Sequence, residues 1–203
     1  MNVEFGDLMG MSMTGSIMSR LQIKEEDKAN GIESEAVRVL VPKAISNGRV
    51  NHLELAEYEV KKGSGQSRLT VVDDIIIKLT TPYGCALITE EDEDLVVPSY
   101  CMICRDFNPG EVDLDYLVGY LNTGYARELF TAGVAATTNS MLKPKDVHRI
   151  PVPMPPLDEQ RMLGRLYRLS AEKQQALKQM LANEEALADN LITSAILEVM
   201  NDE

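Results

Sequence analysis

At 203 residues the chain can hold one domain and an appendage. It is 44 % hydrophobic and 26 % charged, and its net charge is −12, from 20 basic and 32 acidic residues. That balance excludes a generic nucleic-acid binder living on Lys and Arg at phosphates, so any such contact needs a local basic cluster or a more basic partner.

The first residues, Met1-Asn2-Val3-Glu4, carry no basic segment and no apolar run, so no secretory signal is expected there. Residues 1–30 are rich in Met, Gly and Ser and read as a loosely ordered leading loop, with Lys24–Lys28 as solvated surface. Val37-Arg38-Val39-Leu40-Val41 is β-branched and alternating, and Pro42 ends it. Asn47-Gly48 signals a tight turn, because both central positions of such a turn need positive φ. Residues 53–60 fit a strand or a short helix. Lys61–Arg68 is a basic loop mixing charge with amide and hydroxyl donors. It is equally consistent with a solvated hairpin connection.

Leu69–Leu79 is the clearest strand region, and its Ile75-Ile76-Ile77 run suits a strand buried on both faces. Cys85–Ile88, Leu95–Val97 and Tyr100–Arg105 give further strands, with an acidic turn at Glu90–Asp94. Cys101 and Cys104 form a C-x-x-C, but on a strand they point to opposite faces and no second pair exists. Buried structural thiols are expected, no metal site, and the odd cysteine count suits a reducing cytoplasm. Asp113–Thr131 reads as one helix capped by Asp113, weakened at Gly119 and Gly124. After a Thr-rich loop, Met141–Arg149 forms a second basic cluster on a turn and short helix.

Pro151, Pro153, Pro155 and Pro156 then force an extended strut, since proline lacks a donor and restricts its predecessor. From Leu157 onward there is no further proline and one glycine, Gly164, among strong helix formers. Asp158 and Glu159 sit in the first turn, where the helix dipole favours negative charge. Two domains follow: a globular unit over 1–156 and a long helix over 157–203. By count the first holds 15 basic and 23 acidic residues and the second 5 and 9. A helix of about 40 residues would reach roughly 60 Å. Leu177, Met180, Leu181, Leu187, Leu191, Ile192 and Ala195 make an apolar stripe on it, interrupted at Glu184. That stripe calls for a partner helix, with polar notches at Ser170 and Lys173 or a break near Asn183. With no phosphate-binding glycine loop, no nucleophile motif and no zinc or calcium spacing, no catalytic residue is proposed. No apolar run is long enough to span a bilayer.

The order of these segments resembles one half of the specificity (S) subunit of type I restriction–modification systems. Arg149-Ile150-Pro151-Val152-Pro153-Met154-Pro155-Pro156-Leu157-Asp158-Glu159-Gln160 is similar to the junction that joins that family's target recognition domain to its spacer helix. Val72-Asp73-Asp74-Ile75-Ile76-Ile77 resembles its Gly-Asp strand, with Asp73 in place of the usual glycine. Val112–Leu117 with Leu121-Asn122-Thr123 resembles the helix before its recognition loop. The resemblance implies an α+β fold: a mixed-sheet recognition domain followed by one long helix that pairs antiparallel with a partner helix. It also implies a non-catalytic subunit that reads double-stranded DNA and docks DNA methyltransferase subunits. S-adenosylmethionine would be bound on those partners, not on this chain, and restriction subunits would join for cleavage. A full-length member has two domains and two helices, so this chain is expected to act as a cytoplasmic homodimer. If it works so, its base-reading residues come from loops. By loop chemistry the candidates are Lys61, Lys62, Ser64, Gln66 and Arg68, then Lys78, Thr80, Thr81 and Tyr83, then Thr137, Thr138, Asn139, Lys143 and Lys145. The two basic segments should share a face, with the acids elsewhere. The alternative is a scaffold or decoy that binds methyltransferase subunits through its helix and has little affinity for DNA.

Overall fold

The computed structural model describes residues 2–135 and 141–201, and the Ile75-Ile76-Ile77 run lies at the centre of its main sheet. Strand β7 (Ile75–Lys78) pairs antiparallel with β8 (Cys85–Leu87) on one side and β9 (Cys101–Phe107) on the other, and β2 (Met9–Thr14) extends the sheet beyond β9. Alternate residues face two separate cores. Ile75, Ile77, Cys85, Met102 and Cys104 face helices α3 (Leu114–Leu121), α4 (Gly124–Ala135) and α5 (Pro144–His148). Ile76, Ala86, Cys101 and Ile103 face Leu40, Ile45, Val50, Leu95 and Val97. A sheet covered on both faces loses the alternation of apolar and polar residues, which is why the Ile run carries no polar partner. Cys101 and Cys104 do lie on opposite faces, and burial pushes the Cys85 and Cys101 thiols up to about 12.

Smaller pairs flank this sheet. Strand β3 (Ser34–Val39) pairs with β6 (Ala56–Lys61), and β4 (Ile45–Ser46) with β5 (Arg49–Val50). The β4–β5 turn is at Asn47 and Gly48, with φ of 50° and 78°. Parallel pairing is confined to single bridges such as Ser16 to Pro98 and Val39 to Val96.

Four local expectations are corrected. Residues 1–30 are not a loose loop: β1 (Asn2–Glu4) pairs with the proline strut, β10 (Pro151–Pro153), and β2 is an edge strand of the main sheet. Their partners lie far away in sequence, so local composition gave no sign of them. Gly10 has a packing role there, because a Cβ on it would sit 3.0 Å from Asp106 Cβ across the pair. The 113–131 helix is two helices. Asn122 donates to the Val118 and Cys85 carbonyls and accepts from the Cys85 N–H, closing α3, while Thr123 Oγ1 accepts the Ala126 N–H and starts α4. Leu95–Val97 makes only isolated bridges, to Val39 and Leu69. The 69–79 strand shortens to β7. Asp73 turns the chain with φ of 69°, and the Asp74 carboxylate accepts the Val71 N–H at 2.9 Å. A left-handed φ favours glycine, which explains why a glycine pattern fits this position. Asp74 is fully buried and held by Arg105 Nε at 2.6 Å and Nη2 at 2.7 Å. Removing either partner of such a pair costs about 3–5 kcal/mol.

Helix α6 runs unbroken over Leu157–Asn201, so the expected interruption near Asn183 does not occur; the Asn183 side chain instead accepts from Gln179 Nε2 one turn earlier. The chain forms two compact units, Met1–Tyr167 and Arg168–Glu203, so residues 157–167 of α6 belong to the first. Within that unit Gln160 is buried. Its Oε1 accepts the Asp113 N–H at 3.1 Å, and its Nε2 donates to the Glu111 and Pro155 carbonyls at 3.2 and 2.9 Å. One turn on, Gly164 lies against the start of α3, where the Asp113 carboxylate caps the Tyr116 N–H at 2.8 Å. A Cβ on Gly164 would lie 2.7 Å from Tyr116 N. In a free helix Gly→Ala stabilises by about 1 kcal/mol. Here Gly164→Ala is expected to destabilise the protein by about 1–3 kcal/mol in urea unfolding, because the methyl collides with a capped helix end. A gain in stability would show that α6 does not pack on α3 as described.

Candidate nucleic-acid interface

Antiparallel order gathers the end of β2, the start of β9, the end of β7 and the start of β8 at one end of the main sheet. Main-chain hydrogen bonds lace the adjoining loops together. Gly15 N–H donates to Cys101 O at 3.0 Å, Ser16 N–H to Val97 O at 2.7 Å and Ser99 N–H to Ser16 O at 2.8 Å. Leu79 N–H donates to Tyr100 O, and Leu142 N–H to Leu79 O, both at 2.8 Å. Four stretches distant in sequence, around residues 15, 80, 100 and 142, therefore form one rigid rim. The opposite end of the sheet carries Asp73, Asp74 and Asp106, at the start of β7 and the end of β9.

The candidate residues divide by where they sit on this frame. Thr80, Thr81, Lys143 and, two residues on in the first turn of α5, Lys145 lie on or beside the rim, joined by the Leu79–Leu142 bond. Among the described residues neither Lys143 nor Lys145 has an ion-pair partner. Arg68 reaches the same end, donating to Thr14 O at 2.8 Å. Lys78 and Tyr83 are interior. Tyr83 packs on Phe130 at a ring separation of 5.9 Å. Lys78 Nζ donates to Ile45 O at 3.3 Å, with no carboxylate partner. Thr137, Thr138 and Asn139 lie outside the described residues. On the stripe of α6, Leu177, Met180, Leu181, Leu187, Leu191 and Ile192 are all exposed, and Ala195 lies further along the same helix.

The Lys61–Arg68 segment differs from its expected character. Lys61 Nζ binds Asp27 Oδ1 at 2.9 Å, Lys62 Nζ binds Glu33 Oε2 at 2.6 Å, and Gly63 N–H donates to Glu35 Oε1 at 2.8 Å. The Lys61 hydrogen bond holds the Asp27 carboxyl below its ordinary range. So the acids are not elsewhere: α2 (Glu25–Ala29) and the segment entering β3 supply them to this loop. The Lys62–Glu33 pair is exposed on both sides, and such a pair holds weakly enough for a phosphate to compete for Lys62. Ser64 Oγ is buried without a hydrogen-bond partner, while Gln66 is exposed.

Sequence reasoning missed three exposed residues of the rim: Ile17, Tyr100 and Met141. Nothing local marks them, since only long-range main-chain bonds at residues 16, 79, 99, 100 and 142 bring their segments to the same end of the sheet.

Comparison with known structures places this architecture. The chain superposes on a chain from a study of complex assembly and conformational transition of the type I R-M system, with a TM-score of 0.62 and 17 % identity, covering 98 % of this chain and 49 % of that one. It matches the HsdS subunit from Thermoanaerobacter tengcongensis at 0.60 and 17 %, covering 90 % and 45 %. It matches the type I restriction–modification S subunit from M. genitalium at 0.54 and 15 %, covering 87 % and 40 %. The chain has the fold of about half an S subunit. It spans less than half the length of each of these chains. No family model matches the sequence, and no curated protein matches it.

Burial lowers the pKa of Lys78 from the ordinary 10.5. The unfolded chain then holds this proton more tightly than the folded one. Charged Lys78 therefore costs stability below its folded pKa, and the cost fades as pH rises toward 10.5. Lys78→Met is expected to be more stable than the parent at pH 7, with the difference narrowing by pH 10. Urea unfolding at both pH values checks this, and a constant difference would contradict it.

Proposed function

We propose that this chain is a half-length specificity subunit of a type I restriction–modification system, reading double-stranded DNA without catalysing a reaction itself. The observation that carries the reading is the match of most of the chain to a little under half of chains from type I systems, two of them S subunits. Two copies would restore the two-body, two-helix plan. The exposed stripe on α6, Leu177 to Ile192, would supply the antiparallel helix pair. A symmetric pair reads two copies of one half-site in inverted orientation. The rim of the main sheet, with Lys143 and Lys145 for phosphates and Thr80 and Thr81 for base edges, would face the duplex. DNA methyltransferase subunits would dock on the assembly and bring S-adenosylmethionine, with restriction subunits joining for cleavage. These are cytoplasmic tasks, and no helix among the described residues is long and apolar enough to cross a membrane.

A second reading has its own support. The net charge is −12, and Lys61 and Lys62 are already held by carboxylates. A chain of that kind could bind methyltransferase subunits through α6 and withhold them from DNA.

Mass and methyl transfer separate the readings. The recognition subunit is expected to sediment near twice 22.5 kDa, and with its methyltransferase subunit to direct methylation to one DNA sequence at fixed salt. Replacing Leu181 and Leu187 by Glu should weaken self-association at least tenfold, since each buries an apolar anchor of the pair. A complex that forms but methylates no specific sequence supports the decoy. A strict monomer at high concentration contradicts the paired reader.

A further inference from the structure

Among the described residues up to 156, eight large apolar side chains are exposed: Met11, Ile17, Ile32, Leu53, Val71, Tyr100, Tyr125 and Met141. Scattered singly, such residues are ordinary surface. Three of them are not scattered. Ile17, Tyr100 and Met141, exposed by 43 %, 53 % and 39 %, belong to the rim at one end of the main sheet. Ile17 follows Ser16, whose N–H donates to Val97 O and whose carbonyl accepts the Ser99 N–H. Tyr100 supplies the carbonyl that accepts the Leu79 N–H, and Met141 precedes Leu142, whose N–H donates to Leu79 O. Hydrogen bonds of 2.7–2.8 Å thus hold Tyr100 itself, Ser16 beside Ile17 and Leu142 beside Met141, which brings the three positions to one end of the sheet. Lys143 follows two residues after Met141, and Thr80 and Thr81 follow Leu79.

On the reading of this chain as a DNA-recognition subunit, apolar side chains on this rim beside cations and hydroxyls fit the edge of a base pair. The major groove offers donors and acceptors at every base pair, but a single apolar group, the 5-methyl of thymine. We propose that Ile17, Tyr100 and Met141 form a thymine-reading patch, in which their apolar surface covers a thymine methyl while Lys143 and Lys145 hold the flanking phosphates. This rests on the reading of the chain as a DNA-recognition subunit and adds which residues discriminate and which base they select. None of the three entered the loop-chemistry candidates, which were chosen for polar groups.

The test uses the complex of the full chain with its methyltransferase subunit. Duplexes are selected from a random library at fixed salt, and the selected sequence is resynthesised with deoxyuridine replacing thymine one position at a time. Deoxyuridine keeps every hydrogen-bonding group and lacks only the methyl. At one or more positions in each half-site, affinity should fall about fourfold per methyl lost, the value of one buried methyl-sized group. Tyr100→Ser should bring the thymine-to-uracil ratio at that position close to one, with Ile17→Ser and Met141→Ser reducing it. Leu53→Ser, elsewhere on the surface, should leave the ratio as in the parent. A parent ratio of one at every position overturns the patch while leaving DNA recognition intact. A ratio that survives all three rim variants places thymine reading elsewhere and overturns it equally. Selection of no sequence at all removes the functional reading and the patch with it.

Discussion

One amide ties this molecule together. Gln160 accepts from the Asp113 N–H and donates to the Glu111 and Pro155 carbonyls, so a single side chain joins the proline strut, the loop before α3 and the first turn of α6. Gln160 itself is buried, so its amide must be satisfied inside the protein, and a net contribution of about 1 kcal/mol per bond makes these three together a sizeable share of the local stability. The strut beside it is itself fixed: β10 pairs with β1, and the Tyr116 and Tyr120 hydroxyls donate to the Pro153 and Pro151 carbonyls. Prolines that cannot donate are placed where their carbonyls are the groups in demand. Glycine at 164 and at 119 completes the seat. A Cβ on Gly119 would lie 2.8 Å from Tyr167 Cγ, so the ring of Tyr167 packs directly on the backbone of α3.

That seat was legible in the sequence only as a pattern. The proline strut, the following helix and the Glu-Gln pair stand out because proline and helix propensity act locally. The job of Gln160 does not, since its partners at Glu111 and Asp113 are some 47 residues away. The same contrast holds across the body. The Ile75–Ile77 strand, the Asn47-Gly48 turn and the opposed faces of Cys101 and Cys104 follow from two-residue periodicity and turn chemistry. The strands at residues 2–4 and 9–14 were invisible, because their stability comes from Val152 and from β9, not from their own composition. The break at Asn122 was hidden because an amide that bonds to Cys85 across the core looks, in sequence, like an ordinary helix residue.

For the candidate interface, loop chemistry and tertiary geometry weigh the residues differently. Ranking the Lys61–Arg68 loop first followed from its density of donors, but ion pairing is a tertiary property, and Asp27 and Glu33 already occupy its lysines. The sheet rim ranks higher on geometry: its segments are fixed by main-chain bonds, and Lys143 and Lys145 stand without carboxylate partners among the described residues. Asp73, Asp74 and Asp106 lie at the far end of the sheet from the rim, and Asp74 is neutralised by Arg105. Charge distribution, rather than its sum, governs how a surface meets a polyanion.

The proposed function has a symmetric pair of these chains reading DNA. The symmetry of the modified site tests it most directly: plasmid DNA treated with the assembled methyltransferase complex is sequenced at single-base resolution for methylated positions. A symmetric reader is expected to leave an inverted repeat of one short half-site across a gap of fixed length. Methylation at an asymmetric two-part site, or at positions sharing no sequence, would contradict it.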